Sequence, residues 1–276
     1  MNVKYSFFLL LLLSWGLLHA QRKPKIKGNR DVIEVSKTLP EFHAIRLLDD
    51  LKISLEFASE QGYTVTADDN LIDILKFDVD ADTLFISSYY TVTAKKQLDI
   101  TIRYNDLQAI SLDDGQLEVS NPIDSEILNV RAGALSQLQL QANTHFLRLH
   151  MEAQSKGDFN VESDSLEMVL NGRADARIYQ VSSAMSLSMG DHSDATLEGT
   201  TTTLELQMNA GSELGAERLQ AEVIKANLDG TARARMRPTR LLELSSRGSA
   251  NTYLYGDAQI SILEFGDTSE LYKRSD

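Results

Sequence analysis

The chain has no cysteine among its 276 residues. That excludes disulfides, thiolate metal sites and cysteine nucleophiles. It also excludes the lipid-modified cysteine that anchors a bacterial lipoprotein. A chain of this size without disulfides relies on packing and a backbone ladder. The single tryptophan is Trp15. It lies in an N-terminal leader, so a simple sugar-stacking platform is left to tyrosine. Positive charge is also in short supply: 27 Lys and Arg stand against 40 Asp and Glu, a net −13. Loss of Lys4 with the leader makes the balance one unit more negative. Such a surface repels nucleic-acid phosphates and anionic membranes, so nucleic acid is not an expected partner. After the leader, no run is apolar enough to cross a bilayer, which takes about 20 residues. Helical spacing of apolar residues is missing too from the second half of the chain.

Met1 to Ala20 reads as a secretory signal peptide: Lys4, an apolar run from Phe7 to Leu13, and Leu18-His19-Ala20 before the cut. Residues 21–30 form a basic leader with Arg22, Lys23, Lys25, Lys27 and Arg30, read as solvated chain before the first strand. Residues 31–276 are expected to make one domain. Its first part, 31–106, is β-rich and irregular. Strands are expected at Val32–Val35, Phe42–Leu47, Leu51–Phe57, Thr64–Ala67, Ile74–Val79, Leu84–Ser87 and Leu98–Tyr104. Asp68-Asp69-Asn70 lacks the glycine and later glutamate of a calcium loop. It reads instead as a turn or helix N-cap before Leu71–Leu75.

Residues 107–276 repeat. Apolar residues alternate with polar ones, a turn follows, and the phrase starts again. The openings fall at Ile110, Leu128, Leu149, Leu166, Met185, Leu204, Ile224, Leu242 and Ile260. Most turns carry a glycine, such as Gly172, Gly190, Gly211 and Gly230, expected to supply positive φ at corners. A period of two is a strand pattern. After each turn a second alternation of small residues follows, as in Ala174, Ala176 and Ile178, which implies a narrow interior. One phrase cannot bury its own apolar face, and stacked copies can. The expectation is an all-β, right-handed parallel β-helix, a solenoid with 17–21-residue repeats, whose irregular N-terminal coils cover an open edge. A leucine-rich horseshoe fails for want of its asparagine-centred consensus.

Stacking places outward residues in columns. Nine, eleven and thirteen past each opening stand Asp175, Arg177, Tyr179; Asp194, Thr196, Glu198; Glu213, Gly215, Glu217; Arg233, Arg235, Arg237; and Asn251, Tyr253, Tyr255. An acidic rung therefore underlies an arginine rung, with a tyrosine rung above. Arg233, Arg235, Arg237, Tyr253 and Tyr255 form the candidate ligand face, suited to an acidic sugar through guanidinium–carboxylate pairing and ring packing. A plain charge ladder against Glu213 and Glu217 explains the arginines equally. Asp191-His192-Ser193-Asp194 is the most site-like cluster, but it sits on a polar corner. Asp175, Asp194 and Arg177 superficially fit a β-helix lyase. His43, His145 and His150 lack metal-ligand spacing. No catalytic residue, metal ligand or cofactor site is expected.

The order Gly28-Asn29, Phe42-His43-Ala44-Ile45, Leu51-Lys52-Ile53-Ser54-Leu55, Tyr63-Thr64-Val65-Thr66-Ala67-Asp68-Asp69-Asn70-Leu71 and Asp82-Thr83-Leu84-Phe85-Ile86, followed by the repeat, resembles a known family. It is the head GIN domain family, "putative autotransporter adhesin", common in Bacteroidetes-type bacteria. The resemblance runs from about Gly28 to Phe265. It implies a β-helix shaped like the pectin lyases, exported to the periplasm, outer surface or medium, and acting in adhesion. It carries over no catalytic residues. The chain departs from the family in its single-glycine corners, lost at Gln154-Ser155, and in lacking the lipobox cysteine. The functional expectation is an exported non-catalytic adhesin-like module. Its partner would be a glycan, another envelope protein or a second copy. A pectate-lyase-like enzyme and a structural scaffold are the alternatives.

Overall fold

The computed structural model describes residues 23–119 and 121–274. The leader read over Met1–Ala20 lies outside these residues, as do Gln21 and Arg22. The described chain is a parallel β-solenoid of about nine turns.

The N-terminal half builds one end of it. Its elements are β1 (Lys25–Lys27), β2 (Val32–Thr38), β3 (Ala44–Leu47), β4 (Lys52–Phe57), β5 (Gly62–Asp68), helix α1 (Asp69–Ile72), β6 (Leu75–Asp80), β7 (Thr83–Ser88), β8 (Thr91–Ala94), β9 (Leu98–Tyr104), β10 (Ala109–Leu112) and β11 (Gln116–Val119). All seven expected strands are present. β3 and β4 run parallel to β10 and β11 and carry the solenoid's two faces outward to β7 and β9. There the direction reverses: β6 pairs antiparallel with β7, β5 with β9, and β2 with β5. Phe42, Leu71, Leu84 and Ile86 are fully buried beneath this cap.

Two readings change here. Lys25–Lys27 is not solvated leader but a strand, β1, paired with β8. Three residues with two lysines carry no periodicity, so no pattern announced it. Asp68 does stand at the N-cap position of α1 but makes no side-chain cap bond. Its buried carboxylate instead accepts the backbone N–H groups of Lys96 at 3.0 Å and Gln97 at 3.2 Å. Burial pushes that carboxyl up, and those N–H groups outweigh it, leaving it below its ordinary value. Gly28 lies so close that an added Cβ would stand 1.8 Å from Asp68 Oδ2. Asn29 donates its N–H to Asn70 Oδ1 at 2.9 Å, and Asn70 donates to the Lys27 carbonyl at 2.9 Å. The Gly28-Asn29 and Asp68-Asp69-Asn70 segments are thus two halves of one clasp.

The regular coils are β12 (Ile123–Ala132), β13 (Gln137–Met151), β14 (Lys156–Leu170), β15 (Asp175–Met189), β16 (Asp194–Met208), β17 (Glu213–Leu228) and β18 (Arg233–Ser246), then β19 (Asn251–Tyr255), β20 (Gln259–Phe265) and β21 (Glu270–Arg274). Each long strand bends once. In β14, Gly157, Phe159, Val161 and Ser163 point inward, Asp164 and Ser165 both stay out of the core, and Leu166, Met168 and Leu170 point inward again. Leu187 and Leu206 are register partners, each 1% exposed. Burying such a side chain contributes roughly 1.5–3 kcal/mol, repeated coil after coil.

From Leu166 to Ile260 the column of openings matches the expectation. Before it, Leu149 and Ile110 are displaced: Leu147, not Leu149, joins Leu128 to Leu166, and Ile110 pairs with Val130, not Leu128. A slip of two keeps every side chain on its face, so the alternation could not reveal it.

The corners also differ from expectation. Their second residue has positive φ, but glycine holds that place only at Gly172, Gly230 and Gly248. Ala134, Ala153, Asp191, Ala210 and Asp267 hold it elsewhere. Gly133, Gly190, Gly211 and Gly266 stand beside the strained position rather than in it. The fourth corner residue is buried and small. Ser155, Ser193 and Ser212 donate their hydroxyls to the carbonyl three residues back, at 2.8–2.9 Å, closing the turn from inside.

Candidate functional site

The first outward column forms as expected: Asp175, Asp194, Glu213, Arg233 and Asn251 are successive partners. So does the second: Arg177, Thr196, Gly215, Arg235 and Tyr253. The third does not. A bulge after Thr196 pairs Glu198 with Arg218 rather than Glu217, and Arg218 donates to Glu198 at 2.8 Å. The coil spanning β17 is one residue longer, and an extra residue in one strand re-aims the side chains beyond it.

The five candidate residues do come together. Arg233 pairs with Glu213. Arg237 donates Nε to the backbone carbonyl of Glu217 at 2.8 Å, so the bulge supplies a carbonyl where a carboxylate was expected. The Arg235 guanidinium lies 6.0 Å from the Tyr253 ring centre, and that of Arg237 5.9 Å from Tyr255. Two further members were missed. Tyr272 stacks on Tyr253 at 5.3 Å and 13°. Arg274 lies 5.2 Å from Tyr253 and 5.5 Å from Tyr272. Carrying the columns one coil further would have found both, since Tyr253 pairs with Tyr272 and Tyr255 with Arg274.

The stack therefore reads Arg235, Tyr253, Tyr272, with Arg274 beside the rings. The Tyr253 ring lies between the Arg235 guanidinium and Tyr272, so neither of its faces is bare. Recognition here would run through hydrogen bonds from arginine more than through sugar packing on a bare ring. The Tyr272 hydroxyl donates to Glu270 at 2.6 Å, which holds the phenol above its ordinary value.

The other candidates separate. In Asp191-His192-Ser193-Asp194, the Ser193 hydroxyl points inward to Gly190, and Asp191 accepts the Gly172 N–H at 2.9 Å. These are corner bonds, and the serine cannot serve as a nucleophile. Asp175 and Asp194 are neighbours, but Arg177 turns to Asp158 at 3.6 Å. Asp194 is held above its ordinary value by burial first, then by Glu213 and Asp175. His43 hydrogen-bonds Asp82 at 2.8 Å, with Glu41 and Asp106 each at 3.8 Å. The Asp82 bond is the main cause of its raised pKa. Among the described residues, no group of three or more His, Asp or Glu side chains is arranged to hold a metal ion. A groove of about 670 Å³ runs along the bend, lined by Glu126, His145, Glu162 and Asp164. His145 and Asp164 bond across it at 2.7 Å.

The family model described as "Putative auto-transporter adhesin, head GIN domain" matches residues 41–184 and 151–258. The chain belongs to this family. Among solved structures, a "putative adhesin" from Parabacteroides merdae is similar at 16% identity and TM-score 0.68, covering 91% of this chain and 99% of that one. A "putative adhesin" from Parabacteroides distasonis aligns at 14% identity and TM-score 0.69, covering 91% and 100%. A protein from the same species, named "putative lipid binding protein", aligns at 18% identity and TM-score 0.63, covering 91% and 99%. At these identities the likeness is one of fold. Among curated proteins none matches this head GIN domain chain. Among its described residues no helix is long and apolar enough to cross a membrane.

Proposed function

We propose that this head GIN domain protein is an exported, non-catalytic binding module that acts in adhesion at the cell envelope or surface. Its ligand face is the stack of Arg235, Tyr253, Tyr272 and Arg274, with Arg237 and Tyr255 beside it. The supporting observation is the stack itself: planar cations interleaved with stacked phenols on the outside of a rigid coil. A solenoid interior is packed, so ligands meet its outer columns. Residues 231–274 hold seven Lys or Arg against five Asp or Glu, a surplus of two in a chain of net −13. An acidic sugar can approach here and be repelled elsewhere. Its carboxylate or sulfate would accept paired bonds from a guanidinium.

The test is a panel of acidic and neutral glycans bound to the purified chain at two salt concentrations. Binding of acidic glycans, weakened by salt and by Arg235→Ala and Tyr253→Ala, is expected. Undiminished binding by both variants rules out this face. Turnover of a polysaccharide, lost in Asp194→Asn or Arg177→Ala, would replace the binding reading with a lyase.

A further inference from the structure

The two ends of the solenoid are built differently. The N-terminal end is covered by antiparallel strands and α1, with β2 and β6 outermost, each paired on one edge. At the C-terminal end, β20 and β21 each pair on one edge only, with β18 and β19. Among the described residues nothing lies on their other edges. The apolar columns run straight out of this end. Leu242 and Leu244 are fully buried, while their partners Ile260 and Ile262 in the last coil are 38% and 53% exposed. Ser246 is fully buried, and its partner Phe265 is 43% exposed. Leu263, the bulge residue between them, is 67% exposed. A sheet edge with open N–H and C=O groups over apolar side chains is a template for pairing.

We infer that this end is closed by a second copy of the chain, tail to tail about a two-fold axis. The outer N-terminal strands β2 and β6 also pair on one edge only, but β2 presents mainly Glu34, Ser36, Lys37 and Thr38 there. The C-terminal edge lies instead over an apolar column, and such a surface meeting its like is an isologous contact. The charges fit that arrangement. Let β21 pair antiparallel with its own copy, centred on Tyr272. Glu270 then faces Arg274 of the second copy, and Arg274 faces its Glu270. Opposite charges across such a pair attract. Tyr272 meets Tyr272, so the stack from Arg235 through Tyr253 continues into the second molecule. The surplus of two positive charges in residues 231–274 leaves the rest of the chain at −15. The last coil itself, residues 256–274, is net −2, so the facing Glu270 and Arg274 pairs, not the net charge, favour this contact. Lys273 stands in the core column of Leu254, where an inward lysine usually blocks an edge. Its ammonium is drawn to the rim by Asp257 at 2.7 Å, so its stem lies over the core and the edge stays available.

Tyr272 and Arg274 also belong to the proposed ligand face, so a dimer and a glycan would compete for them, and a mass measurement made without glycan tests this inference alone. Light scattering on the purified chain over a concentration series measures its mass. Twice the monomer mass is expected, falling two-fold in Ile262→Lys with the circular dichroism and melting of the parent kept. Glu270→Arg alone and Arg274→Glu alone should also give monomer. The double variant should regain the dimer, because the pair is then reversed on both copies. A parent that is monomeric throughout overturns the proposal. So do assemblies growing beyond two, or a double variant that stays monomeric while each single one does too.

Discussion

Ala210 occupies the strained corner position with φ +54. A left-handed residue with a Cβ costs roughly 1–2 kcal/mol. Glycine removes that strain but frees the unfolded chain, at a cost of about 0.4–1 kcal/mol. Ala210→Gly should therefore stabilise by about 0.5–1 kcal/mol, the opposite of the usual effect of glycine. In a domain of this size, 1 kcal/mol moves Tm by about 2–4 °C, so a rise of about 1–4 °C is expected. Ala134 and Ala153 hold the same position at φ +46 and +61 and should respond alike. The control is Ala176→Gly, a fully buried residue within β15, which should lose about 0.5–1 kcal/mol. Thermal unfolding followed by circular dichroism separates the two. If Ala210→Gly melts as low as Ala176→Gly, the corner geometry is wrong and the register resting on it fails.

Gly199 lies inside β16 at φ +106, where an added Cβ would stand 2.0 Å from the Gln180 carbonyl oxygen. Gly199→Ala should destabilise by several kcal/mol, about the sum of backbone strain and overpacking. Gly133→Ala, with nothing nearer than 3.7 Å, should be close to neutral. Equal melting of the two variants would contradict the close approach of the coils. Asp194 has a folded-state pKa above the ordinary 3.8, so the folded state prefers its protonated form. That preference is complete below 3.8 and is lost as pH rises through the raised value. Asp194→Asn should therefore raise Tm at pH 7 and leave it nearly unchanged at pH 3. A gain of the same size at both pH values would show that charge is not the cause.

The fold was legible because a period of two and a step near nineteen are both written in the apolar residues. Leu166, Met185 and Leu204 find one another from sequence alone. The same regularity hides other features. A slip of two, as between Leu147 and Leu149, changes no face. A single added residue in the coil of β17 shows only in spacing, so Arg218 could not be told from Glu217 as the partner of Glu198. Glycine does not mark the strained corner position, because alanine and aspartate fill most of those corners. In the candidate site, the arginine and tyrosine rungs were legible as columns. Tyr272 and Arg274 are harder to read because the last coil's strands are short and its first one carries a bulge, and the orientation of ring faces is set by packing that no pattern encodes.

Every outward column, including the Arg–Tyr stack, depends on coils stacking one residue directly above its partner. The absence of cysteine gives a direct measurement of this. Ser186 and Glu205 are outward register partners on β15 and β16. Neighbouring strands lie about 4.8 Å apart, within the roughly 4.4–6.8 Å Cα separation a disulfide needs. Under mild oxidation, Ser186→Cys with Glu205→Cys should cross-link nearly completely, and Ser186→Cys with Gln207→Cys should not. Cross-linking of the second pair with none of the first would contradict the register, and with it the ligand face.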